Sequence, residues 1–117
     1  MNIEDFRDYC LNKKGISESF PFDETTLVFK VMNKMFALAD IEVFDFINLK
    51  CDPDRAIDLR ERYTAIQPGY HMNKKLWNSV YVNDDVGDQM IYELIDHSYD
   101  LIVASLPKKT QKELELL

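Results

Sequence analysis

From residue 3 onward, Ile3, Phe6, Tyr9 and Cys10 recur at helical spacing with polar residues between them, which predicts an amphipathic helix over residues 3–14. Asn2 can cap it, Glu4 and Asp5 suit its positive end, Lys13 and Lys14 its negative end, and Gly15 stops it. The stretch from Ser17 to Asp23 is polar and interrupted by Pro21, and it reads as an irregular connection with room for an edge strand. The period then changes to two. Leu27, Phe29 and Val31 share one face of a strand over 26–31, and a second extended run follows at 35–39. Asn33 between them tolerates the positive φ of a tight hairpin turn. A third strand over 44–51 sets Ile47, Leu49 and Cys51 against Phe46, Asn48 and Lys50.

Asp52-Pro53 pairs an N-cap acid with a proline at the first helical position and starts a helix running to about Tyr63, with Ala56, Ile57, Leu59 and Tyr63 as its apolar side. Pro68-Gly69 marks a turn, and the aperiodic residues up to Lys75 form a loop that leads into a strand over 77–82. Asp84 and Asp85 are placed to cap the longest helix, about 86–106, whose apolar positions Met90, Ile91, Leu94, Ile95, Ile102 and Val103 face the sheet. Pro107 ends it, and the tail KKTQKELELL forms one more short helix. Strands and helices in this order predict a single α+β domain over residues 1–117, a two-layer arrangement of an antiparallel β-sheet with helices packed mainly on one face.

The 117-residue length suits one domain, and a hydrophobic share of 46% is ordinary for one buried core. Cys10 and Cys51 stand alone rather than in CxxC spacing and read as small apolar packing residues, which points to a reduced, cytoplasmic setting. The opening MNIEDFRDYC carries acids where a secretory leader needs a basic patch and an apolar run. No apolar stretch approaches the roughly 20 residues of a membrane span, so no membrane association is expected.

A net charge of -7 opposes indiscriminate attraction to phosphate backbones. Its distribution changes that picture. Residues 25–39, 62–83 and 101–112 contain no Asp or Glu, and together they hold eight of the 14 basic residues. If two of these runs meet in space, they form a positive face on an otherwise acidic molecule. The second run contains the densest mixture of functional side chains: Tyr70, His71, Asn73, Lys74, Lys75, Trp77 and Asn78 in PGYHMNKKLWN. Aromatic faces, amides and positive charge suit anions or stacked bases. The structural alternative is that Tyr70 and Trp77 pack while the lysines are merely solvated.

Nearly the whole chain resembles the MmcQ/YjbR family, through PFD at 21–23, VFKVMNKMFAL at 28–38, INLKCDPDRAIDLRERY at 47–63, the 68–78 loop and SYDLIVASLPKK at 98–109. Leu76 stands where that family usually has His, and Asn33 where it usually has Gly. The resemblance implies a small CyaY-like (frataxin-like) fold and a DNA-binding protein that contacts the duplex through two β wings. Carried onto this chain, the wings are the hairpin tip with Lys30, Asn33 and Lys34 and the loop with His71, Asn73, Lys74 and Lys75. Lys30, Lys34, Lys74 and Lys75 are expected to touch phosphates, Tyr70, His71 and Trp77 to shape the site or stack, and Arg62 to support the loop.

Catalysis is not expected. There is no GxSxG elbow, neither cysteine lies near a histidine in sequence, and the three glycines are too dispersed for a phosphate loop. Glu93, His97 and Asp100 share a helix face and Asp84, Asp85 and Asp88 cluster at a helix start, but solvation and capping account for both groups, and neither cofactor nor metal is expected. The expected function is binding, of DNA or alternatively of a protein partner in an interaction or chaperone-like role.

Overall fold

The computed structural model describes residues 1–117. Ten elements follow in the order α1 (Ile3–Leu11), β1 (Ile16–Ser19), β2 (Thr26–Val31), β3 (Lys34–Asp40), β4 (Phe46–Lys50), α2 (Pro53–Arg62), β5 (Ile66–Pro68), β6 (Trp77–Tyr81), α3 (Asp88–Ser105) and α4 (Lys108–Glu115). The strands form one antiparallel sheet in the order β1-β2-β3-β4-β6-β5. The expected α+β architecture is present, with α3 lying across β3, β4 and β2. No helix is long and apolar enough to cross a membrane.

Local chemistry explains most boundaries. Asn2 accepts the Asp5 N–H at 2.8 Å while the Asp5 carboxylate accepts the Asn2 N–H, a capping box that starts α1. That helix ends at Leu11 rather than residue 14, with Asn12 as its C-cap, and Lys13 just beyond it pairs with Asp96 of α3. Gly15 then takes φ +75°, and a methyl group there would meet Leu114 Cδ1 at 2.6 Å and Met32 Sδ at 3.2 Å. The segment after it is the edge strand β1, paired with β2. Met32 and Asn33 both have positive φ, as a two-residue hairpin turn demands.

Two expectations fail for physical reasons. Asp84 and Asp85 do not cap α3, whose N-cap is Gly87. The Asp85 carboxylate instead accepts the N–H groups of Thr64 and Ala65 at 2.8 and 2.9 Å, tying the connection before α3 to the end of α2. Ile57 does not join the apolar side of α2 but stands half-exposed, since only Ala56 and Leu59 of that helix are buried. The three-residue strand β5, unread in the sequence, is too short to display a period.

The core lies between the helices and one sheet face. Phe6 meets Phe29 edge-on at 5.3 Å, and Phe36, Ile47, Leu49, Ile91 and Ile95 complete its centre. Each such large apolar side chain stabilises the fold by roughly 1.5–3 kcal/mol on burial. Cys10 and Cys51 are buried within it as packing residues, and burial pushes both thiols up, Cys51 to about 11. Ser98, fully buried on α3, donates to the Phe36 carbonyl at 2.6 Å and accepts the Lys50 N–H at 2.9 Å, stapling the helix to β3 and β4.

Candidate functional site

The other sheet face carries the candidate chemistry. Strand register places Thr26, Val28 and Lys30 of β2, Met35, Leu38 and Asp40 of β3, Phe46, Asn48 and Lys50 of β4, and Trp77 and Ser79 of β6 on it. A bulge between Phe29 and Lys30 shifts the pairing, so that Lys30 lies opposite Met35 while Phe36 turns into the core. Val28, Leu38 and Trp77 form a small second core here, with Met35, Met72 and Leu76 closing over it. The 69–76 loop covers this core.

Buried polar groups fasten the loop. Across the β4–β6 pairing, Asn48 stands opposite Ser79, whose hydroxyl donates to the Asn48 amide oxygen. Ser79 Oγ accepts the Tyr70 N–H at 2.9 Å, and Asn48 Nδ2 donates to the Tyr70 carbonyl at 3.1 Å. Gly69 donates to the Trp77 carbonyl at 2.8 Å, and its own carbonyl accepts from Lys74 Nζ at 2.9 Å. Arg60, rather than Arg62, supports the loop: its Nη1 donates to the Lys74 carbonyl at 2.9 Å and to Asn78 Oδ1 at 3.2 Å, whereas Arg62 pairs with Asp58 on α2.

The nine residues singled out in the sequence therefore separate. Trp77 is only 8% exposed, so it anchors the loop and has no face available for stacking. Asn73 accepts the N–H groups of Lys75 and Leu76, and Lys74 is tied to Gly69, so both shape the loop. Asn33 shapes the hairpin turn. Lys30, Lys34 and Lys75 make no ion pair, and neither does Lys50, which sequence reading passed over because it lies outside the acid-free runs. These four lysines share one end of the sheet. Val31 pairs with Lys34 at the hairpin tip, and Lys50 pairs with Trp77 two residues beyond Lys75. Lys30 and Lys50 lie two strands apart on one face, about 10 Å at the usual strand spacing. The third acid-free run stops short of this end: it is Leu114, between Glu113 and Glu115, that docks beside Gly15 and Met32.

Tyr70 and His71 go elsewhere. They lean over a cleft of about 370 Å³ toward the opposite end of the face, walled by Phe22, Phe46, Leu38 and Met72. Tyr70 is 59% exposed and Phe22 66%. The Phe46 and Tyr70 rings stand nearly perpendicular at 5.9 Å, and the His71 ring packs against Tyr70 at 4.1 Å, tilted by 56°. Asp23 and Asp40 line the same cleft. The amides of Thr26 and Thr25 hold the Asp23 carboxyl below the usual range, and those of Val43 and Glu42 do the same for Asp40. Neither carboxylate faces a basic partner.

The chain belongs to the YjbR family: the model of that family matches residues 11–101. It is 33% identical to the uncharacterized protein YjbR of Escherichia coli K12 over 113 residues, spanning 96% of each chain. To the uncharacterized protein YbdF of Escherichia coli O157:H7 it is 40% identical over 94 residues, 80% of this chain and 77% of that one. The fold matches the crystal structure of Deinococcus radiodurans protein DR2400, of domain family DUF419, with a TM-score of 0.91 and 39% identity, covering 97% of this chain and 88% of that one. A crystal structure from Pseudomonas syringae aligns with a TM-score of 0.73 and 29% identity over 86% of this chain and 98% of that one. The family and fold expected from the sequence are borne out.

Proposed function

We propose that this chain, as a member of the YjbR family, binds nucleic acid weakly and without catalysis, using the lysine-bearing end of its sheet as a phosphate-contacting face. The observation that carries the reading is the convergence of Lys30, Lys34, Lys50 and Lys75, all without carboxylate partners, at that end. Within the sheet face that carries Lys30 and Lys50, the acids Asp40 and Asp23 lie at the far end of β2, while Asp52 follows Lys50 just beyond the sheet. Lys30 is four residues from Thr26, the partner of Asp40, or about 13 Å along the strand. That exceeds the Debye length of about 8 Å at physiological salt, so the acidic end does not cancel the basic one.

The contacts expected are with phosphates and not with bases. Trp77 is buried and Tyr70 sits over the acidic cleft, so no aromatic platform accompanies the lysines. Affinity is therefore modest, sequence-tolerant and strongly dependent on salt.

Fluorescence anisotropy with duplex and single-stranded oligonucleotides across a salt series tests this. The wild type should lose affinity steeply with salt. Lys34→Ala/Lys75→Ala should flatten the log–log slope by about two units, close to one per lost contact. No binding at low salt would defeat the proposal.

A further inference from the structure

We propose that the cleft at the opposite end of the same face is a binding site for a small solute carrying a quaternary ammonium group. Phe46 and Tyr70 meet edge-to-face in the wall of the cleft, and Phe22 supplies a third aromatic ring. Aromatic faces attract cations through their quadrupoles, most strongly when the cation is poorly hydrated. The two carboxylates supply net negative charge without opposing cations, so the cleft is complementary to a positive ligand and repels an anionic one.

The hydrogen-bond inventory selects the kind of cation. Asp23 accepts from the amides of Thr25 and Thr26 and from the Thr26 hydroxyl, and it shares the single Thr25 hydroxyl hydrogen with Asp40. Asp40 accepts from the amides of Glu42 and Val43 and from the Thr25 hydroxyl. A carboxylate offers about four acceptor positions, so the two carboxylates together keep only about two open, both on their Oδ2 atoms. A primary ammonium entering the cleft would find carboxylate acceptors for only part of its three donors. A trimethylammonium group has none to satisfy, and it takes the charge and the aromatic contact together. The cleft, about 370 Å³, lies at the small end of the range for ligand sites and fits a free solute.

The site is also held in shape before any ligand arrives. Tyr70 is fixed at both its N–H and its carbonyl by Ser79 and Asn48, so the backbone that carries its ring needs little ordering on binding.

Titration of isotope-labelled protein with choline, its neutral isostere 3,3-dimethylbutan-1-ol and ethanolamine, followed by NMR, tests the assignment. Choline should give saturable shifts at Tyr70, His71 and Asp40 and bind about tenfold tighter than either comparison compound, with loss in Asp40→Asn and in Tyr70→Ala. Tyr70 is exposed, so the second variant keeps the test valid if the first fails to fold. Lys34→Ala/Lys75→Ala should bind choline as the wild type does, which separates this site from the phosphate face. Equal binding of the isostere, tighter binding of ethanolamine or of a trimethyllysine peptide, or absence of saturable shifts would overturn it.

Discussion

Ser79 and Asn48, directly opposite each other on β6 and β4, share a buried hydrogen bond and between them hold both backbone polar groups of Tyr70. Two small polar side chains on the sheet thus fix a loop residue that borders the cleft, and the same loop carries Lys75 at the basic end. The account of both ends depends on this anchoring.

Ser79→Ala should leave the Asn48 amide oxygen and the Tyr70 N–H without partners and cost about 1–3 kcal/mol of stability. Urea denaturation measures the loss, and hydrogen exchange at Tyr70 should accelerate well beyond that of β2 and β3 amides. Unchanged exchange would show that the loop is held by other contacts.

Gly69→Ala should destabilise by about 1–3 kcal/mol, because the added methyl would lie 2.8 Å from Trp77 Cβ and 2.9 Å from the Trp77 carbonyl oxygen. The indole reports on it directly: emission should shift red and iodide quenching rise as Trp77 loses its cover. Wild-type quenching in the variant would contradict the packing described.

The Ser98 hydroxyl bridges α3 to both β3 and β4, so Ser98→Ala should cost about 1–3 kcal/mol through the stranded Lys50 N–H and Phe36 carbonyl. Thermal denaturation checks it, and a change within a few tenths of a kcal/mol would mean that the two backbone groups find other partners.

Stability should also respond to mildly acidic pH through His97. Burial, with Arg55 adding to it, holds this imidazole below its ordinary range, and its Nε2 accepts the Asp52 N–H at 3.1 Å. A folded-state value below the unfolded one means that the contribution is complete above about pH 6.5 and is lost as pH falls through that point toward the folded value. Urea midpoints should drop between pH 7 and pH 5, and less so in His97→Gln. A flat profile in the wild type would be inconsistent with the neutral acceptor.

The fold was legible wherever local chemistry and long-range packing agree. Alternation at Leu27, Phe29 and Val31, Asn33 in the turn and Asp52-Pro53 at the start of α2 all carried through to the structure. The candidate site was legible only in part. Order of charge along the chain pointed to Lys30, Lys34 and Lys75, but Lys50 joins them through strand register, which no local pattern reveals. The 68–78 loop looked like one site and serves two ends, since Tyr70 folds back over the sheet while Lys75 stays near its tip. Asp85 misled because an acid before a helix is usually a cap, and here the amides of Thr64 and Ala65 claim it through tertiary contact.

The placement of the phosphate face is tested most directly by mapping backbone amide shifts of the labelled protein as a short DNA duplex is added at low salt. The account predicts perturbations gathered at residues 30–34, 50 and 74–76, fading as salt rises. Shifts centred on Asp23, Asp40 and Tyr70, or no shifts at all, would contradict it.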